Sequence, residues 1–116
     1  MDISFVDNKL VLPTSKIAFK YNIYSVAKIK GGVAVLLDIP SDVEVYENIY
    51  ALDLNGQKIW KVQSVKEINP NIKRLSPYVG MSLLANGNIS ATTFFGLNYE
   101  ISAKDGKILS SHMAKW

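Results

Sequence analysis

The sequence predicts an all-β protein of antiparallel sheets, with two four-stranded units preceded by short N-terminal strands. Three observations predict it. No window of about a dozen residues holds a 3.6-residue apolar period, so helices are not expected. Val, Ile, Tyr, Thr and Phe instead gather in short runs of strand length. Between the runs stand Lys30-Gly31-Gly32, Asn55-Gly56-Gln57, Asn86-Gly87-Asn88 and Asp105-Gly106-Lys107. Asn, Asp and Gly in such places supply the positive φ of a tight hairpin turn.

Taken in order, short strands are expected at 3–6 and 9–12. Four hairpins follow: 23–30 with 33–39, 48–54 with 58–63, 79–85 with 88–94, and 97–103 with 107–112. "NPNIKRLSP", residues 69–77, has two prolines and a basic pair and reads as a linker. "IPSDVEVYEN", residues 39–48, reads as a long loop inside the first set of hairpins. The 116 residues suffice for one domain, expected to span 1–116. A hydrophobic share of 48% against 20% charged is that of a globular chain rather than a disordered one.

The hairpins repeat. "YALDLNGQKIW" (50–60) lies over "YEISAKDGKIL" (99–109) with a constant offset of 49, so that Tyr50 meets Tyr99, Leu52 meets Ile101, Lys58 meets Lys107 and Ile59 meets Ile108. "AKIKGGVAVLL" (27–37) lies over "SLLANGNISAT" (82–92) with an offset of 55. The difference of six falls in the 39–48 loop, where an insertion is easily accommodated. The first unit therefore spans about 21–65, the linker 69–77 and the second unit about 78–114.

Tyr50, Ala51, Leu52, Asp53, Gly56, Lys58 and Trp60 give this unit a strand reading Tyr-Ala-Leu-Asp, a glycine turn, and a last strand with Trp. It resembles a blade of the PQQ-like β-propellers. The second copy departs from that pattern: Ser102 replaces the Asp, and Leu109 or Ser110 stands where Trp would be. The resemblance implies blade architecture and leaves function open. It does not imply the quinone, whose enzymes use a full propeller with features that cannot be placed here. A propeller closes with about four blades or more. Two blades could form a half-propeller closed by self-association, an open two-sheet protein, or part of something longer; the initial Met speaks mildly against the last. An open form leaves blade faces without neighbours, and exposed apolar patches mark partner sites.

Chemistry is sparse. With no Cys and a single His, thiolate sites, His clusters and thiol nucleophiles are excluded. His112 lacks a recognisable nucleophile and orienting acid, and no Gly-x-Ser-x-Gly or phosphate-binding loop is present. No catalytic residue, cofactor or metal is assigned. The net charge is +3, and twelve of the thirteen basic residues are lysines scattered along the chain, with Arg74 the exception. Nucleic acid is therefore not the leading partner class. The best residues for it are Lys73 and Arg74, with Tyr78 nearby. No apolar run approaches the roughly 20 residues of a membrane span, and the acidic N-terminus is unlike a secretory leader, so a cytoplasmic chain without an anchor is expected.

One segment breaks the charge balance. From 38 to 53 stand Asp38, Asp42, Glu44, Glu47 and Asp53, with no Lys or Arg. Asp42, Glu44, Tyr46 and Glu47 are the candidate partner-binding residues: a loop tyrosine among acids suits an interface anchor. Most of Tyr21, Tyr24, Tyr50, Trp60, Tyr78, Phe94, Phe95 and Tyr99 are expected in the core between sheets. In size and character the chain resembles the small immunity proteins of bacterial toxin systems, including contact-dependent growth inhibition. That resemblance implies a non-enzymatic inhibitor that covers the active site of a basic, RNA-cleaving toxin domain. The alternatives are a self-associating scaffold, for which a homodimer is expected, and a small RNA- or ligand-binding module.

Overall fold

Short alternating segments and glycine turns leave the chain one economical arrangement, the up-and-down meander, and it forms three of them. The structure, a computed structural model, describes residues 3–113; the side chains of His112 and Met113 lie outside the described residues. The first sheet is β1 (Ser4–Val6), β2 (Lys9–Val11) and β3 (Lys16–Ala18). The second is β4 (Ile23–Ile29), β5 (Gly32–Leu37), β6 (Ile49–Asp53) and β7 (Lys58–Lys61). The third is β8 (Tyr78–Leu83), β9 (Ile89–Thr93), β10 (Leu97–Ile101) and β11 (Ile108–Met113). Every pairing is antiparallel and sequential. The all-β expectation and the two four-stranded units are thus met. Two elements go beyond it. β3 sits in the alternating "KIAFK" that follows Ser15, and a single helical turn, α1 (Val65–Ile68), is capped by the Ser64 hydroxyl. One turn is too short for any periodicity to reveal.

The sheets stack face to face, with the second in the middle. All six residues of β5 are buried, and they alternate between two cores. Val33, Val35 and Leu37 join Leu10, Leu12 and Ile23 against the first sheet. Ala34 and Leu36 join Ile49, Ala51 and Trp60 against Ile89, Ala91 and Ile101 of the third. A strand covered on both faces reads as a continuous apolar run, which "GVAVLL" does.

Pairing registers refine the repeat. The cross-strand row Val26, Val35, Tyr50, Lys61 in the second sheet answers to Met81, Ala91, Tyr99, Ser111 in the third. The offsets are therefore 55, 56, 49 and 50, strand by strand. A single offset per hairpin fails because each hairpin turn of the third sheet holds one more residue. Lys58 thus answers to Ile108 rather than Lys107, Ile59 to Leu109 rather than Ile108, and Trp60 to Ser110. The insertion in the first unit is seven residues long, not six.

Both units carry bulges at equivalent places. Tyr24 and Val79 are the extra residues in the first strands, Ile59 and Leu109 in the last. A bulge re-aims its side chain, and all four are exposed.

Contacts at both edges join the second and third sheets. Asn48 is fully buried and spends its amide across the gap: its Nδ2 donates to the Leu37 and Tyr78 carbonyls at 2.8 and 2.9 Å, and its Oδ1 accepts from the Tyr78 N–H at 2.9 Å. Losing one such partner strands a buried group at a cost of about 1–3 kcal/mol. At the other edge, the Trp60 indole donates to the Ala103 carbonyl at 2.9 Å and lies on Gly106. A Cβ there would stand 2.6 Å from the indole. The first sheet docks on the second in the same manner, with Ile17 seated on Gly56.

The outer face of the third sheet ends the stack. Ala34, Leu36, Ile49, Ala51 and Trp60, which face the third sheet, correspond to Ser90, Thr92, Asn98, Glu100 and Ser110. Each apolar residue has become polar. Asn98 donates to Ser90 and Thr92 at 3.0 and 2.9 Å, so this face is hydrogen-bonded within itself. It is the pattern of a terminal capping repeat. The second copy also lacks the Trp, and among the described residues no fourth sheet stands against this face. This face is uncovered, as an open form would leave it, but it is polar rather than an exposed apolar patch.

Candidate functional site: the loop end of the stack

In a meander the connections alternate between two ends. The short glycine turns occupy one end. The other collects the two long connections, 38–48 and 62–77, together with the three-residue tip 94–96 between β9 and β10.

That last tip breaks the turn chemistry of the others. Its central residues are Phe94 and Phe95, which are 68% and 43% exposed. The turn closes because the Thr93 hydroxyl accepts from Leu97 N–H at 3.1 Å and Gly96 takes φ 91°. It is tied down by Phe94 N–H donating to the Pro77 carbonyl (2.9 Å) and Phe95 N–H to the Ser76 hydroxyl (3.2 Å). The two rings meet edge to face at 5.7 Å, and the Arg74 guanidinium lies 4.4 Å from the Phe95 ring centre. Expecting these rings in the core was wrong. They lie past the last inward-facing position of β9, and the glycine that follows turns the chain at once. Two aromatics directly before a turn glycine were the readable signal. Tyr24, also expected in the core, is turned out by its bulge to 59% exposure.

Phe94 and Phe95 border a groove of about 580 Å³. The acidic insertion contributes Asp38, Ile39, Val43, Glu44 and Tyr46; the connection before β8 contributes Arg74, Leu75 and Pro77; β8 contributes Val79. A smaller cavity of about 150 Å³ shares Asp38, Ile39, Pro77 and Val79 with it and reaches Tyr24. Of the four candidate partner residues, Glu44 and Tyr46 line the groove. Asp42 is exposed on the same insertion, outside the lining. Glu47 is half-buried and acts electrostatically on Tyr78.

Tyr78 is 3% exposed and packs edge to face on Tyr99 at 6.1 Å. Its hydroxyl is buried without a hydrogen-bond partner. Burial first, then Tyr99 and the Glu47 carboxylate, push its pKa well above the ordinary 10.0. It is no base-stacking platform, so the expected grouping of Lys73, Arg74 and Tyr78 does not form one exposed surface. His112 pairs with Asn98 through the backbone; its side chain lies outside the described residues.

The glycine-turn end has a cleft of about 700 Å³ that includes Lys30, Ile59 and Lys104. The amides of Asn88 and Asn86 there donate to Glu100 at 3.0 and 3.1 Å, lowering its pKa. Those polar groups satisfy one another.

The family described as Domain of unknown function (DUF7957) matches residues 1–113. The chain belongs to this family. No curated protein and no solved structure matches it. Among the described residues no group of three or more His, Cys, Asp or Glu is placed to hold a metal ion. No helix among them is long and apolar enough to cross a membrane. What distinguishes the loop end of this DUF7957 chain is exposed apolar surface beside a concentration of carboxylates.

Proposed function

We propose that the chain is a non-enzymatic protein-binding module that engages its partner with the loop end, and that it is an inhibitor of the immunity type, covering the active site of a basic toxin domain. The observation that carries this reading is the Phe94–Phe95 pair, held exposed at a turn beside the acidic insertion. Turn tips favour Asn, Asp and Gly, so two aromatics there run against local preference. Departures of this kind gather at functional sites. Aromatic anchors rimmed by charge are the makings of an interface. The acids would steer a basic partner and align it. A cytoplasmic setting fits an inhibitor that protects the cell producing the toxin. The outer face of the third sheet, polar and internally hydrogen-bonded, speaks against a scaffold built by continuing the stack there.

The test is an affinity capture from source cells with the native chain, a Phe94→Ser/Phe95→Ser variant and an Asp42→Lys/Glu44→Lys variant. One stoichiometric basic protein should be retained by the native chain and lost by both variants. Its isolated activity, assayed on RNA, should fall on adding the native chain. Retention by both variants, or no stoichiometric protein, overturns the reading.

A further inference from the structure

We infer that the loop end receives an extended partner segment in which basic residues sit beside aromatic or branched apolar ones. This rests on the reading of the chain as a protein-binding module and specifies what its partner presents. The two cavities adjoin, since Asp38, Ile39, Pro77 and Val79 line both, and taken together they make the trough of this proposal. Tyr24 borders one part and Phe94 the other. Of the four shared residues, Ile39, Pro77 and Val79 are apolar and Asp38 is charged. A trough of this kind suits a segment of chain, whose specificity comes from pockets that take its side chains.

The bulges bear on the same point. Tyr24 and Val79 occupy equivalent places in the first strands of the two units, and both border the smaller cavity. A regular ladder there would hold neither as an extra residue. The irregularity re-aims two apolar side chains to one place.

Charge selects the occupant. Asp38 borders both cavities and Glu44 the larger, with exposed Asp42 on the same insertion. The one cation of the lining, Arg74, lies over the Phe95 ring. Lys or Arg in the segment would meet carboxylates along the insertion, whereas an acidic segment would meet like charge.

The test is a selection of random linear peptides displayed on phage against the purified full chain, with the winners synthesised and titrated. Selected peptides should carry Lys or Arg next to Phe, Tyr, Trp, Leu or Ile. Their affinity should fall roughly tenfold or more with Val79→Ser or Phe94→Ser, and also with Asp38→Lys. All three positions are exposed, and an unchanged thermal melt checks that each variant folds. Failure to select any peptide, selection of acidic peptides, or binding indifferent to all three changes overturns the inference. If the cellular capture yields a partner lost by the loop-end variants while no linear peptide is selected, the extended-segment inference fails alone. If peptides behave as expected but the capture yields no partner, the inhibitor reading fails and the trough stands.

Discussion

Tyr78 concentrates the residue-scale lesson. Its backbone is indispensable to the Asn48 bridge, while its hydroxyl is buried without a partner. An unmet buried hydroxyl costs about 1–3 kcal/mol. Tyr78→Phe keeps the ring on Tyr99 and removes that cost, so urea unfolding should show a gain of about 1 kcal/mol. The pH dependence follows with its sign. The folded-state pKa is raised above the unfolded 10.0, so the phenol's contribution is intact below pH 10. Above it the unfolded chain loses the proton first, and stability declines as pH rises toward the folded value. Tyr78→Phe should flatten that alkaline decline; an unchanged slope between pH 9 and 11 in denaturant melts would contradict it. None of this was legible in "SPYVG", since burial depends on which sheet covers the strand.

At the scale of elements, one joint between the second and third sheets is Trp60 on Gly106. Gly106→Ala adds a Cβ against the indole at a φ of +76°. Gly31→Ala adds one at φ +83° with nothing within 4 Å. Both carry the left-handed strain of about 1 kcal/mol; only the first carries a clash. Gly106→Ala should therefore cost about 2 kcal/mol more than Gly31→Ala. Chemical denaturation in a Trp60→Ala background should remove most of that excess, leaving the part due to the Lys61 carbonyl 3.1 Å from the added Cβ. Strands and turns were readable because alternation and glycine are local signals, and the repeat was readable because "YALD" in the first copy and "YEIS" in the second keep the Tyr and the branched apolar residue two places on. The strand registers were not, because one added residue per turn is invisible without pairing. Nor was the loop-end site, apart from its acids and Tyr46. Phe94, Phe95 and Tyr24 look like core to any count of apolar residues; a turn and a bulge decide otherwise.

For the whole molecule, the third sheet's outer face decides where the stack stops. Restoring the inner code, with Ser90→Ala, Thr92→Leu, Asn98→Ile, Glu100→Ala and Ser110→Trp together, should expose a sticky apolar face. Sedimentation should then show self-association at concentrations where the native chain does not change mass. No change in mass would mean that this face is not what ends the stack. At the opposite extreme stands β5, whose two faces are both apolar. A strand of that kind has no polar side to forbid a slip by one residue. Gly32 supplies the missing rule, since any Cβ there would strike the backbone of Leu52. Alignment at the centre of this protein is enforced by a keyhole that only a hydrogen atom fits.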